Sequence, residues 1–177
     1  MLPLRLDAET LRRSAMFRSL SDADCKALIV CLRGRRCMAG QVLFREGDPG
    51  TFMVLLTRGT AVATARSGAA TSRELGVMGA GEVVGEMAFL DPAPRSATVS
   101  VTSDAEVYEL SQDAMEVLRQ QAPSAARAIV VGAARSVAHR LRRLEERIDD
   151  EMTRAVGRAR TLPAPPTSQD PRRGIPR

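Results

Sequence analysis

The residues best suited to chemistry lie in one stretch, 79–99. There Gly85 and Glu86 open a short apolar turn, Met87 to Leu90. A proline-bounded loop, Asp91 to Pro94, separates that turn from Arg95, and an alternating run, Ser96 to Thr102, follows. Gly85 allows backbone to approach a ligand closely, and the first N–H groups of a helical turn suit an anion. The guanidinium of Arg95 is a planar fork of donors that matches two phosphate oxygens. An ionised Glu86 only accepts hydrogen bonds, which is what a sugar hydroxyl requires of its partner. A cationic clamp, a helix start and a hydroxyl acceptor together describe a site for a phosphorylated sugar. The plainer alternative is a turn with an internal Glu86–Arg95 ion pair. An arginine at the head of an apolar strand is costly to bury without an anionic partner, which favours the binding site.

Other chemistries have little to draw on. Cys25, Cys31 and Cys37 are odd in number and lack C-x-x-C spacing, so neither a disulfide framework nor a zinc site is expected. The single histidine, His139, stands beside Arg140 in a helical stretch and reads as a surface residue. Without a nucleophile–base pair or a metal cluster, an enzyme is not expected, and no metal cofactor is expected either.

The elements that must position the stretch are short. Leu11 to Leu20 reads as a short helix closed by a turn at Phe17 to Leu20, and Ser21 caps a second helix over Ala23 to Leu32. From Arg35 the texture changes to β runs punctuated by glycine at intervals of about 8–12 residues, the mark of an all-β sandwich or roll. The expected strands are Gln41–Arg45, Phe52–Thr57, Thr60–Arg66, Glu74–Val77, Ala97–Thr102 and Glu106–Leu110, with a turn at Glu46–Gly50. Gln112–Gln120 reads as a short helix, and Pro123 opens a long one reaching about Arg160. Along it Val130, Ala134, Val137, Leu141, Leu144 and Ile148 recur at spacings of 4, 3, 4, 3 and 4, a heptad seam. Its first half, Ala126 to Ala134, is expected to pack on the roll, and the seam over 130–148 to pair with a second copy in a parallel homodimer.

The stretch Gly85 to Leu90 with Arg95 to Val99 resembles the phosphate-binding cassette of the cyclic nucleotide-binding domain family. The resemblance runs from about Phe17 to the helix after Pro123. It implies a double-stranded β-helix (jelly-roll), mainly β with flanking helices and followed by a long C-terminal helix. The domain plan is then helices over 1–34, the roll over 35–111 with its cassette at 79–99, and helices over 112–160. A Pro- and Arg-rich tail, 161–177, is expected to be disordered. By resemblance Glu86 holds the ribose 2′-hydroxyl and Arg95 the cyclic phosphate. Gly85 and backbone N–H groups around Met87, Ala88 and Ala97 complete the cradle. Ser96 is compatible with a cyclic phosphate and with a syn guanine, so cAMP is the expected ligand and cGMP the alternative. Val62 and Val83 are candidate walls for the purine, with a core role as their plain alternative. Ser136 and Arg140 are the candidates for capping the base from the long helix.

Composition sets the remaining bounds. Hydrophobic residues make up 44% and charged residues 27% of the 177, ordinary for a globular chain. No apolar run approaches the ~20 residues of a membrane span, and no signal-peptide order opens the chain, so a cytoplasmic location is expected. Residues 1–126 carry a formal charge of −1, residues 127–160 carry +4 and the tail carries +2. A basic helix and tail admit a second reading, association with nucleic acid or anionic membrane. The 17 residues after Arg160 are too few and too proline-rich for a winged helix, so no winged-helix DNA binding is expected. Aromatic residues at 3% also disfavour base stacking. The expected role is therefore a sensor acting through an unknown effector protein, with an interaction scaffold bearing a vestigial pocket as a further alternative.

Overall fold

A computed structural model describes residues 4–68 and 71–160, with side chains described to Arg154. The tail expected to be disordered, 161–177, lies outside the described residues. The chain divides into two compact units, Met1–His139 and Arg140–Arg177.

The first unit opens with α1 (Ala8–Arg13), whose first turn is capped by the Asp7 carboxylate accepting from the Thr10 N–H at 2.8 Å. The helix stops at Arg13, short of the expected closing turn at Phe17 to Leu20. Ser14 adopts an extended backbone, and two turns follow in which Phe17 N–H donates to Ser14 and Leu20 N–H to Phe17. Those turns bury Met16, Phe17 and Leu20, whose near-helical spacing mimics helix in the sequence. α2 (Asp22–Cys31) begins at the expected cap. The Ser21 hydroxyl accepts from Asp24 N–H, and the Asp24 carboxylate accepts in return from Ser21 N–H.

Eight strands follow: β1 (Arg33–Cys37), β2 (Val42–Phe44), β3 (Phe52–Arg58), β4 (Ala61–Arg66), β5 (Ser72–Met78), β6 (Val83–Val84), β7 (Thr98–Val101) and β8 (Ala105–Ser111). They form two four-stranded antiparallel sheets, ordered β1-β8-β3-β6 and β2-β7-β4-β5. The expected roll with flanking helices and a long C-terminal helix is what the chain forms. Two strands were not legible. β1 is rich in arginine, and its pairing with β8 brings Arg36 opposite Glu106 and Arg35 within 2.7 Å of Glu109 across the diagonal. β6 is two residues long and is defined only by its pairing with β3.

Strand alternation builds two cores. Between the sheets lie Leu43, Phe44, Val54, Leu56, Val84, Val99, Val101 and Val107. On the other face of the first sheet, Met53, Leu55, Val83, Tyr108 and Leu110 pack against Leu11, Leu28 and Ile129 of the helices and Phe17 of the turn between α1 and α2. Burying these side chains contributes roughly 1.5–3 kcal/mol each, which is what fixes the strand register.

α3 (Glu86–Leu90) interrupts the strands between β6 and β7. After β8, α4 (Gln112–Gln121) is capped by the Ser111 hydroxyl. α5 (Pro123–Arg160) begins within the first unit. Its early part buries Ala125, Ala126, Ile129 and Ala133. Gly132 comes so close to the backbone of Met16 that a Cβ there would collide with the Met16 carbonyl oxygen. The face carrying Val130 and Ala134 is exposed. In the second unit Leu141, Leu144 and Ile148 of the heptad seam are 56%, 50% and 47% exposed. Within the first unit the seam residues Val130 and Ala134 thus lie off the stripe of α5 that packs on the roll, and Val137 is half-buried.

Candidate functional site

The site is assembled from three segments of the first unit. The first is the turn at residues 85–90. Gly85 is the N-cap of α3 in the left-handed region, at φ 79°, ψ 10°, a conformation that disfavours any side chain. Val83 and Val84 pair with Leu55 and Val54 just before it, so the sheet delivers Gly85 to its place. Glu86 follows and is fully buried.

The second segment is the loop into β7. Arg95 is buried to 3% exposure, and its backbone is tied on both sides to the third segment, the Glu46–Gly50 turn. Arg95 N–H donates to the Asp48 carbonyl at 2.8 Å, and Gly47 N–H donates to the Arg95 carbonyl at 2.9 Å. Pro49 and Pro94 form an isolated bridge beside them. Gly50 completes the contact, since a Cβ there would strike Ala88 of α3 and come within 2.8 Å of the Ala93 carbonyl oxygen. The turn is itself anchored. Glu46 N–H donates to the Thr98 hydroxyl at 3.0 Å, and the Glu46 carboxylate accepts from Arg66 N–H at 2.8 Å.

The guanidinium of Arg95 is held by backbone and aromatic rings. Nη1 donates to the Gly85 carbonyl at 2.9 Å and Nη2 to the Phe52 carbonyl at 2.5 Å. Its carbon lies 4.1 Å from the Phe44 ring centre and 4.6 Å from that of Phe52. The two rings meet edge to face, 6.1 Å apart. Among the described residues no carboxylate stands within salt-bridge distance of Arg95, and its Nε has no hydrogen-bond partner. Burial pushes its pKa down, while Asp48 and Glu86 act through space to raise it. An arginine remains charged under such shifts. Among the described residues the ion pair weighed as the plainer alternative is therefore not formed. What stands in its place is a desolvated cation with an unused donor, beside a buried carboxylate residue.

The other expected residues fall into two groups. Ala88 and Ala97 are buried in the cassette, whereas Met87 is half exposed and Ser96 is exposed. Val83 is buried in the helix-side core, and its neighbour Val84 faces the space between the sheets. Val62 is half-buried and pairs with Val77 and Ser100. Its neighbours Ala61 and Ala63 are the β4 residues that meet the inter-sheet core. The structure therefore does not bring Val62 and Val83 onto the inter-sheet face. Arg140 is an exposed residue of α5 in the second unit.

Phe44 and Phe52 escaped the sequence reading, because each sits in an ordinary apolar strand and only the fold stacks them on Arg95. Clefts of about 690 Å³ beside Leu4, Ile29 and Tyr108, and of about 410 Å³ beside Arg36, Cys37 and Arg58, lie away from these residues. Within the cassette Arg95 is enclosed, whereas Met87, Ser96 and the 91–94 loop are open to solvent. Among the described residues no group of three or more His, Cys, Asp or Glu could hold a metal ion. No described helix is long and apolar enough to cross a membrane.

Known proteins share this architecture. The N-terminal domain of a transcriptional regulator from Streptomyces coelicolor A3(2) is 28% identical, with a TM-score of 0.65 over 78% of this chain and 94% of that one. The regulatory domain of Toxoplasma gondii PKA, solved with cAMP, is 31% identical with a TM-score of 0.57, over 62% of this chain and 42% of that one. A CRP-like cAMP-activated global transcriptional regulator of Mycobacterium tuberculosis is 24% identical over 142 residues, 80% of this chain and 62% of its own length. The chain spans from 14% to 62% of the length of curated relatives it matches. Residues 34–122, half of the chain, match the family described as the cyclic nucleotide-binding domain, and the chain belongs to that family.

Proposed function

We propose that this chain is a non-enzymatic, cytoplasmic sensor of a cyclic nucleotide, with cAMP as the preferred ligand and cGMP as the alternative. In this reading Arg95 grips the cyclic phosphate and Glu86 accepts from the ribose 2′-hydroxyl. Gly85 and the backbone N–H groups around Met87, Ala88 and Ala97 line the phosphate. One observation carries it: Arg95 is desolvated and, among the described residues, has no carboxylate in salt-bridge contact and no partner for Nε. Burying a cation in that way is costly, and a ligand phosphate offsets the cost. The mycobacterial regulator is described as cAMP-activated and the Toxoplasma domain as bound to cAMP, which supports the choice of ligand.

The output would pass through α5. The exposed seam residues Leu141, Leu144 and Ile148 of the second unit support a parallel homodimer, because a heptad seam left in water is an apolar cost that pairing removes. Ligand binding shifts the equilibrium between states of such a helix by its differential affinity for them, and an effector protein reads the difference.

Calorimetric titration with cAMP and cGMP, side by side, tests the reading. Saturable binding to the parent chain that weakens by roughly 10–150-fold in Arg95→Ala is expected, from the loss of a charge-assisted contact. Equal affinity in parent and variant would place the ligand elsewhere.

A further inference from the structure

Phe44 and Phe52 enclose the Arg95 guanidinium in an aromatic corner, and among the described residues no carboxylate lies within salt-bridge range of it. We infer that these two phenylalanines are positioning residues for the anion clamp: their ring faces offset the desolvation of the guanidinium and hold it aimed while the site is dry. This inference rests on the reading of Arg95 as the phosphate ligand and extends it to residues with no polar side-chain atom.

The physical case is a balance of solvation. Arg95 at 3% exposure has lost almost all its water, and two carbonyls satisfy only two of its five N–H groups. Ring quadrupoles supply the remaining negative potential, and they do so most strongly where water is excluded. Two faces at 75° to each other also restrict rotation of the planar group about its own axis, which one face would not. Phe52 acts twice, through its ring and through the carbonyl that accepts from Nη2. Phe44 acts only through its ring, so it is the cleaner residue to test. Its ring also lines the inter-sheet core and lies 3.2 Å from the position a Cβ on Gly85 would take. The corner therefore joins the cation, the left-handed turn and the roll interior. The arrangement prepares Arg95 for an anion before the anion arrives, which reduces the ordering cost at the moment of binding.

A core-filling role is distinguished by keeping or removing the ring face and by repeating the change where Arg95 is absent. Phe44→Leu keeps an apolar side chain and removes the ring face, whereas Phe44→Tyr keeps the face. In the full chain, affinity for cAMP or cGMP should fall about 5–30-fold in Phe44→Leu, and return to within about twofold of the parent in Phe44→Tyr. In an Arg95→Ala background the same Phe44→Leu change should alter affinity less than about twofold, since there is no cation left to position. An equal loss in both backgrounds would overturn the inference while leaving Arg95 as the phosphate ligand.

A readout without ligand separates the two readings. The Arg95 Nε–H resonance of the free protein should be shifted upfield by the ring currents, and Phe44→Leu should abolish much of that shift while Phe44→Tyr preserves it. If neither nucleotide binds the parent, the sensor reading fails and this resonance decides the aromatic corner alone. A resonance unmoved by Phe44→Leu overturns it.

Discussion

Arg95 Nη1 and the first helical N–H of the cassette, that of Phe89, donate to the same acceptor, the Gly85 carbonyl, at 2.9 and 3.3 Å. The cation and the left-handed turn are therefore one mechanical unit. A ligand phosphate that draws Arg95 toward itself alters the hydrogen bonding of the first turn of α3.

Gly85→Ala should damage that unit in two ways. An alanine at φ 79° costs about 1–2 kcal/mol in backbone strain, and its Cβ would collide with Arg95 Nη1. Affinity for the cyclic nucleotide should fall by at least about tenfold, and the melting temperature should fall as well. Parent-like affinity in this variant, by titration, would separate the turn from the clamp. Arg95→Lys is expected to bind almost as poorly as Arg95→Ala. A lysine ammonium cannot reach Gly85 and Phe52 with a planar fork or stack on both rings.

Gly132→Ala tests the docking of α5 within the first unit. Glycine to alanine in a helix normally stabilises by about 1 kcal/mol. Here the new Cβ would meet the Met16 carbonyl oxygen, and Met16 Cγ at 2.9 Å, and a backbone atom cannot step aside as a flexible side chain could. Overpacking costs typically about 1–3 kcal/mol, so the net effect should be destabilising. Thermal unfolding should shift down by roughly 2–4 °C per kcal/mol lost. An unchanged or raised melting temperature would show that α5 can move off Met16 freely.

The pH dependence of α4 has a defined sign. Hydrogen bonds from Arg119 and Gln120 lower the Glu116 pKa from its ordinary 4.5 to about 2. The folded value lies below the unfolded one, so this group stabilises the fold fully above the unfolded pKa. That contribution is lost as pH falls from 4.5 toward about 2. Glu116→Gln should therefore melt lower than the parent by a constant margin above about pH 6. The two curves should converge as pH approaches 2. A margin that persists at low pH would assign the effect to packing instead of charge.

Leu144→Asp puts a charge into the seam of the second unit, where Leu144 is half exposed in the single chain. If the seam pairs two copies, sedimentation should show a shift to monomer, because a charged residue in the middle of a coiled-coil interface is desolvated without a partner. Binding of nucleotide by each roll should survive. A parent chain that is monomeric at all accessible concentrations would remove the dimer from the proposed function.

The strand runs, the capping box at Ser21 and the cassette from Gly85 to Val99 could be read along the chain, because each rests on local chemistry: alternation, a short-range cap, a glycine beside a carboxylate. The heptad spacing on α5 is equally local. What the chain could not show was which partner each group meets across the fold. Strand parity turns Val62 and Val83 away from the inter-sheet face and brings Ala63 and Val84 toward it, a difference of one residue that only pairing with neighbouring strands decides. The arginine-rich strand β1 exists because Glu106 and Glu109 stand across from it, some seventy residues away. Phe44, Phe52 and Arg95 come from three separate segments, and nothing in any one of them announces the other two. Local propensity names the residue that could hold an anion, whereas the surroundings that bury it and hold it in place are made by long-range contacts, which form only when both sheets close.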